Sequence, residues 1–302
     1  MLSKRDIPSR LSHGGTWHKG LMRALTLGTL GLFVIACGKT ETPDAGIDSG
    51  VITMETMDSG VDAGPPPVCL PNSEDAGMSD GGLDFSCRGR AQLYGGQSEL
   101  VITGTATKAG FTRTPIANVV LDLVLFDGTV LASALSGDGG TYLLRYDAGC
   151  VPLEAEVRAT HPPDDAGFAL SYSVPNGPFR YDRDNLELVM FDQSTQGLAA
   201  AIASVTLVPG DAVLALTVED CNGNDVPGAV VSTVSGMGDV RYVGASGLPT
   251  NMLSATGPSG DVIIFNLPGT SVEVVATLDG GVIAQRVIPI HGDAATGTFL
   301  AP

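Results

Sequence analysis

From residue 99 onward, short apolar runs alternate with turns rich in glycine and aspartate. Within the runs, apolar residues recur at every second position, as in the series Leu121, Leu123 and Leu125. This period of two places one set of side chains on one face of a β-strand. The pattern predicts strands at 100–105, 118–126, 129–135, 141–146, 152–160, 168–174, 186–191, 213–218, 226–231 and 272–278, with another inside 256–269.

The connections between these runs carry turn signals and one helical pattern. Asp127-Gly128 predicts a two-residue hairpin turn in which both residues take a positive φ. The segment 195–205 has helical spacing and predicts one short helix. Its N-cap and its apolar stripe consist of Ser194, Leu198, Ile202 and Val205. Several short strands with regular turns predict an all-β fold, namely two antiparallel Greek-key-type β-sandwiches in tandem at 87–208 and 209–302.

The N-terminal region has a different hydrophobic pattern. After Arg23, 13 apolar or small residues follow without a break and end at Ala36. That length suits the apolar core of an export signal and is too short to span a bilayer, which takes about 20 residues. We therefore predict that 1–36 is a signal peptide, read from a start at Met1 or at Met22.

The end of this run, Val34-Ile35-Ala36-Cys37, resembles the lipobox of bacterial lipoproteins. The resemblance implies cleavage between Ala36 and Cys37, then attachment of lipid, including palmitate, through the Cys37 sulfur. Gly38 follows where inner-membrane lipoproteins carry aspartate, which favours the outer membrane, on either its periplasmic or its exposed face. Two alternatives stay open: secretion after cleavage without lipid, and a buried apolar helix that ends in cysteine.

The stretch 37–86 has no hydrophobic period and predicts a disordered acidic tether. It holds six Asp-small-Gly triplets, and its ten acidic residues face the single basic residue Lys39. Glycine and like charges oppose ordering, so a solvated spacer is favoured. The alternative, calcium binding, needs oxygen ligands at fixed spacing. The triplets lack a constant period.

The net charge of the chain limits the classes of partner that it can bind. The chain has a net charge of −17, and the leader carries five of its 16 basic residues and one of its 33 acidic ones. The net charge after Ala36 is therefore −21, and such a surface repels nucleic acid and anionic headgroups. Nucleic-acid binding is excluded, and the membrane is reached only through the lipid.

The second predicted sandwich carries the turn segments Val226-Pro227-Gly228 and Leu267-Pro268-Gly269. With these residues the chain resembles the carboxypeptidase regulatory-like (transthyretin-like) β-sandwich family. Pro115 to Val119 forms a looser copy in the first sandwich. Together with the lipobox and the tether, the chain is similar to lipoproteins of myxobacterial type. The resemblance implies a fold and no activity, because its motifs are turn chemistry.

Four cysteines remain beside Cys37: Cys69, Cys87, Cys150 and Cys221. An even number in an exported protein predicts disulfides, and four cysteines allow three pairings. We predict Cys69–Cys87, closing the end of the tether, and Cys150–Cys221, joining the sandwiches. The rival interpretation is a metal site. No Cys-x-x-Cys occurs and no histidine lies near any of the four.

Little in the chain suggests catalysis. After the leader only His161 and His291 remain, and both are interpreted as surface residues. No metalloprotease, hydrolase, phosphate-loop or dinucleotide motif follows Ala36. The turn at Asp220 imitates the start of a calcium loop, but Asp225 stands where that loop needs glycine. We expect no enzyme activity, no cofactor and no metal.

One cluster of charged and aromatic residues is a candidate recognition loop, formed by Arg180, Tyr181 and Arg183. The alternative is a solvated hairpin end with local ion pairs. The sequence thus predicts a non-enzymatic, lipid-anchored surface lipoprotein that displays β-sandwich modules to a protein or polysaccharide partner. Two alternatives remain: a carbohydrate-binding module, and an accessory subunit of an envelope peptidase or secretion complex.

Overall fold

The computed structural model describes residues 82–88, 96–110, 113–161 and 167–302. The predictions for the signal peptide, for Cys37 and Cys69, and for most of the tether lie outside these ranges. The strands and the helix of the described part are β1 (Glu99–Lys108), β2 (Thr114–Pro115), β3 (Val120–Leu125), β4 (Val130–Leu135), β5 (Thr141–Asp147), β6 (Ala155–Thr160), β7 (Leu170–Val174), β8 (Arg183–Met190), α1 (Gln193–Ile202), β9 (Ala212–Val218), β10 (Val230–Thr233), β11 (Asp239–Val243), β12 (Pro249–Thr250), β13 (Asp261–Leu267), β14 (Ser271–Leu278), β15 (Gly281–Pro289) and β16 (Ala294–Leu300).

The first sandwich is built around β1, whose residues alternate between buried and half-exposed positions. β1 pairs antiparallel with β2 and β5 and parallel with β8. This small sheet faces β4, β3, β6 and β7, which follow one another in a second sheet. The two sheets enclose a core that includes Leu100, Ile102, Leu121, Leu123 and Val157. Alternation in the sequence produces this core directly, because every second residue of each strand points inward.

The second sandwich has the same plan. β10, β14 and β15 form one antiparallel sheet. It faces β12, β11, β13, β9 and β16, and the core between them includes Leu214, Leu216, Ile264, Val274 and Ile288. The predicted all-β class with two sandwiches in tandem is confirmed. The prediction of purely antiparallel pairing misses the parallel pairs of β8 with β1 and of β16 with both β7 and β9.

The two sandwiches share one sheet. β16 pairs with β9 on one side and with β7 on the other, so nine strands run continuously in the order β12-β11-β13-β9-β16-β7-β6-β3-β4. Thr296 of β16 pairs with Leu214 and with Tyr172, so these three side chains share a face. That face carries the second core, whereas Ser171 and Ala159 lie on the opposite face with the first core. The two cores therefore lie on opposite faces of one sheet.

The helix α1 covers part of the shared sheet on the face opposite the second core. Ala200 and Ala203 contact Val213 and Phe265 there in a small third cluster. The predicted stripe is wrong for Leu198, which is 52% exposed, and for Ile202, which is 38% exposed. Its third member, Val205, is partly buried against this cluster. Small alanine side chains let the helix approach the sheet closely, and this leaves the larger side chains in solvent. No helix in the described part is long and apolar enough to cross a membrane.

Two local predictions also need correction. The N-cap of α1 is Asp192, not Ser194, since the Asp192 carboxylate accepts a hydrogen bond from Thr195 N at 2.5 Å. In the β3–β4 hairpin only Gly128 has a positive φ, of 92°. Asp127 Oδ1 accepts instead from Thr129 N at 2.9 Å, and the turn is followed by a register shift in the ladder. The turn is thus a glycine bulge rather than a two-residue turn.

Candidate functional site

An open groove lies between the end of β1 and the start of α1 in the first sandwich. Its volume is about 610 Å³. The residues that line it come from the ends of several elements: Lys108, Thr114, Pro115, Ile116, His161, Gly167, Phe168, Asp192, Gln193 and Ser194. The groove brings a cation, a carboxylate and two aromatic rings into one surface, a combination that no sequence pattern indicates.

The polar groups of this groove are held in place by one another. Lys108 Nζ lies 2.6 Å from Asp192 Oδ2 and 5.5 Å from the centroid of the Phe168 ring. The His161 ring stacks on Phe168 with centroids 4.8 Å apart. The pKa of Asp192 lies well below its usual range. The main cause is the hydrogen bond from Lys108, and those from Ser194 and from Thr195 at the helix N-terminus act in the same direction. The groove therefore stays a zwitterionic, partly aromatic surface at neutral pH.

A second polar cluster lies on the shared sheet, on the face opposite the first core. Arg158 Nη2 lies 2.7 Å from Asp122 Oδ2, and the Ser133 hydroxyl donates to Asp122 Oδ1 at 2.6 Å. The hydrogen bond to Asp122 is the main cause that raises the pKa of Arg158. These partners face one another because the three strands pair in register at these residues. The group is a cross-strand network in which Arg158 Nε alone is buried without a hydrogen-bond partner among the described residues.

The same face carries a contact between the two sandwiches. His291, in the turn between β15 and β16, places Nε2 2.9 Å from Oε1 of Glu156 on β6. The Glu156 side chain is 2% exposed. Tyr172 on β7 stacks against His291 with centroids 3.7 Å apart. Burial, followed by the Glu156 charge, raises the pKa of the Tyr172 hydroxyl, and Arg158 opposes this shift. His291 was interpreted as a surface residue, and the structure instead places it one-third exposed, in a contact with Glu156 that is ionic when the imidazole is protonated.

The predicted recognition residues lie where the chain enters β8. Gln97 N donates to Arg180 O at 2.8 Å, and Asp182 N donates to Gln97 Oε1 at 2.9 Å. The Asp182 carboxylate accepts from Val101 N at 2.8 Å. Tyr181 is half-buried and Arg183 is exposed. Most polar groups of this loop thus fasten β8 along β1, and Arg183 is the exposed one of the three predicted recognition residues.

Arg183 lies near an acidic turn at the end of β9. Burial, with the charges of Asp225 and Asp220, raises the pKa of Glu219 to about 7, while Arg183 opposes the shift. Asp220 accepts hydrogen bonds from the backbone N–H groups of Asn222 and Asn224 at 2.9 and 2.8 Å. The carboxylate therefore shapes the turn. In the described part of the chain, no group of three potential ligands could hold a metal ion.

The predicted cysteine pairing is wrong, because Cys87 is bonded to Cys221. The reason is that the segment 82–88 contacts the second sandwich. Cys221 N donates to Asp84 O at 2.7 Å, and Asp84 N donates to an Asp220 carboxylate oxygen at 3.0 Å. Phe85 also contacts the second core. Cys150 is disulfide-bonded as well.

No family model and no curated protein matches the chain. Among solved structures, the Bacillus anthracis TIE protein is 14% identical over 67% of this chain and 33% of its own, with a TM-score of 0.20. A mutant shaft pilin SpaA from Lactobacillus rhamnosus GG is 13% identical, with 68% and 98% covered and a TM-score of 0.19. A streptococcal ancillary pilin is 10% identical, with 67% and 68% covered and a TM-score of 0.20. The chain spans about a third of the Bacillus anthracis protein. At these scores the similarities carry no argument about function.

Proposed function

We propose that this chain is an exported lipoprotein, anchored through Cys37, whose two fused sandwiches form a non-enzymatic interaction module at the outer membrane. The observation that carries the proposal is the sequence Val34-Ile35-Ala36-Cys37 directly after an apolar run of signal-peptide length. Two acyl chains or more give stable anchoring, because each buried methylene contributes about 0.8 kcal/mol.

The disulfide between Cys87 and Cys221 supports export independently of the lipobox. Disulfides persist in oxidising compartments such as the bacterial periplasm and are rare in the cytosol. The bond joins residues 134 positions apart, so it forms only between segments that the fold has already brought together. The disulfide between Cys87 and Cys221 therefore supports a location outside the cytoplasm.

The shared sheet supports the role of an interaction module. Because β16 pairs with strands of both sandwiches, the two domains share one continuous sheet and are not separate domains joined by a linker. Such a body presents its loops and edges in a fixed mutual arrangement. The groove at Lys108 and Phe168 and the exposed Arg183 are its candidate contact surfaces.

Metabolic labelling tests the anchor. The full chain is expressed in a Gram-negative host with an alkyne analogue of palmitate, and the label is read after extraction from the envelope. We expect label on the wild type, none on Cys37→Ser, and full label on the matched control Cys87→Ser. A wild type that carries no label and is released after cleavage at Ala36 would contradict the proposal.

A further inference from the structure

One edge of the shared sheet, in the first sandwich, is free for pairing. β4 is the last of the nine strands, and among the described strands it pairs with β3 alone. Ser136 N donates to Val119 O at 2.9 Å, so the backbone of Ser136 faces β3. Because backbone groups alternate in direction along a strand, those of Leu131, Ser133 and Leu135 point away from β3. No hydrogen bond to these outward groups is found in the part of the chain that the structure describes.

The composition of β4 leaves this edge open to other extended segments. Its six residues, Val130 to Leu135, include no charged residue and no proline. Val130 is 45% exposed and Leu135 is 63% exposed. The register shift of the ladder lies at the start of β4, and the pairing from Ala132 to Leu135 is regular. Proteins normally protect a sheet edge with charged residues, proline, very short strands or covering groups, because free N–H and C=O groups pair with other chains.

Other sheet edges of the described fold carry such protection. β12, at the opposite end of the shared sheet, has two residues and begins with Pro249. β10 is the edge strand of the second sandwich, where the Tyr242 hydroxyl accepts from Val231 N at 3.0 Å and donates to Val231 O at 3.3 Å. β8 begins with the charged residues Arg183 and Asp184. The contrast makes β4 the edge that is prepared for pairing.

The charges around β4 limit what can occupy this edge. Asp127 lies in the turn before β4 and Asp138 in the turn after it, and both are exposed. From residue 126 to residue 141 the chain has no lysine and no arginine. The backbone hydrogen bond from Thr129 is the main cause that lowers the pKa of Asp127, so this carboxylate is charged at neutral pH. The edge is therefore neutral along β4 and negative at both ends.

A second copy of this chain fits such an edge poorly. Two β4 strands paired antiparallel about Ser133 would place Asp127 of each copy beside Asp138 of the other, and both copies are strongly acidic. We propose that β4 instead binds an extended segment of a protein partner, which adds a strand to the shared sheet and has an uncharged centre as long as β4 with lysine or arginine at each end. The inference rests on the proposed interaction module, and it names the class of partner and the place where the partner binds.

The dimensions of β4 set what the bound segment contacts. Six residues give an edge about 20 Å long. Its three outward residues offer three N–H and three C=O groups to the segment. Leu135 pairs with Val120, and the neighbouring Leu121 lies in the first core, so the Leu135 side chain is on the face opposite that core. An apolar side chain of the segment would cover Leu135 on that face.

Peptide binding to the full mature chain, extracted from the envelope in detergent, tests the inference. The probe is acetyl-Lys-Val-Thr-Ile-Thr-Val-Thr-Lys-amide with a fluorophore, and binding is read from fluorescence anisotropy. One control peptide has glutamate in place of both lysines, and the other has two prolines at its centre. We expect the lysine peptide to bind about tenfold more tightly than either control. The difference between the lysine and glutamate peptides should shrink as salt is added.

Two matched variants locate the binding site on the sheet. Leu135→Lys adds a charge on the edge strand. Leu170→Lys adds the same charge on the same face, at a residue that is 41% exposed, three strands away on β7, which is paired on both sides. We expect Leu135→Lys to weaken binding of the lysine peptide about tenfold and Leu170→Lys to change it less than about twofold. The melting temperature of each variant checks that it is folded.

Four results overturn the inference. Equal binding of the lysine and glutamate peptides removes the argument from charge, and equal binding of the proline peptide removes strand pairing. An equal loss in the two variants places the peptide on the open face of the sheet instead of its edge. A chain that binds none of the peptides also overturns it, and if that chain sediments as a dimer that Leu135→Lys dissociates, the edge belongs to a second copy. Palmitate labelling of Cys37 is independent of all four, so failure at β4 and failure of the anchor are distinguishable.

Discussion

Replacing His291 with alanine tests the contact that joins the two sandwiches away from the shared strands. His291 Nε2 lies 2.9 Å from Glu156 Oε1, and the imidazole stacks on Tyr172 at 3.7 Å. Glu156 Oε2 is buried and has no hydrogen-bond partner in the described part of the chain. Removing His291 therefore leaves the carboxylate, which is 2% exposed, without the imidazole beside it, and this contact is an ion pair whenever the imidazole is protonated.

The expected cost follows from that burial. Breaking a buried ion pair by deleting one partner costs about 3–5 kcal/mol. His291 is one-third exposed and carries a charge only when it is protonated, so we expect the ionic contribution to be about 2 kcal/mol in this case. The lost stacking on Tyr172 adds about 0.5–1 kcal/mol. We expect His291→Ala to reduce the free energy of unfolding by about 3 kcal/mol. For a body of this size the melting temperature should fall by about 6–12 °C.

A double-mutant cycle isolates the ionic contribution. Thermal and urea unfolding are measured for the wild type, His291→Ala, Glu156→Gln and the double variant. In the Glu156→Gln background no buried charge is left behind, so His291→Ala should cost only about 1 kcal/mol, a coupling of about 2 kcal/mol. His161→Ala is the matched control, since His161 stacks on Phe168 but makes no ion pair in the described part.

Two results would refute the reasoning. If His291→Ala lowered the free energy of unfolding no more than His161→Ala does, the contact with Glu156 would contribute nothing to stability. If the costs of the two single variants simply added in the double variant, the residues would not be coupled. Either result would remove the ionic contact as a link between the sandwiches.

Substitutions at three further places in the fold give separate readouts. A Cβ on Gly104 would lie 2.0 Å from Leu186 O, so Gly104→Ala should cost at least 2 kcal/mol in urea unfolding, whereas Gly197→Ala, with open space in α1, should be neutral or stabilising by up to about 1 kcal/mol. The raised pKa of Glu219, about 7, means that the folded protein loses stability as pH rises from about 4.5 to 7, so Glu219→Gln should flatten this dependence and be more stable than wild type at pH 8, by about 1 kcal/mol after solvent screening. Cys221→Ser should lower the free energy of unfolding by about 2–5 kcal/mol, and the matched control Cys87→Ser, which breaks the same disulfide, should be equally unstable.

The strands were predictable because their signal is local. β1 alternates between buried and half-exposed residues, and its period of two is visible in the sequence without knowledge of the fold. The core residues of these strands were predictable for the same reason, because alternate residues of a strand share one face. The parallel pairings of β8 with β1 and of β16 with β7 were not predictable, because register between distant strands leaves no periodic mark in a single sequence.

The helix α1 shows a second limit of prediction from the sequence, which concerns the face that is buried. Both of its faces are apolar, with Leu198 and Ile202 on one and Ala200 and Ala203 on the other. Hydrophobicity alone selects the larger side chains as the buried face. The available space above Val213 and Phe265 selects the alanines, and that space is a tertiary property.

The candidate sites were even harder to predict than the fold, because tertiary contacts bring their residues together. Arg183 was found from the sequence because charge and aromatic residues cluster within a few positions. The groove at Lys108 was missed, because its residues come from segments up to 86 positions apart. Charged residues such as Glu156 and Arg158, at alternate positions of a predicted strand, are the one signal that could have revealed the polar face.

The most direct test of the central claim is the mass of the mature N-terminal peptide from envelope-extracted protein. The lipoprotein proposal predicts a chain that begins at Cys37 and carries acyl chains on its sulfur. A mature chain that begins at Cys37 with an unmodified or disulfide-bonded sulfur, or one that retains residues before it, would contradict the proposal.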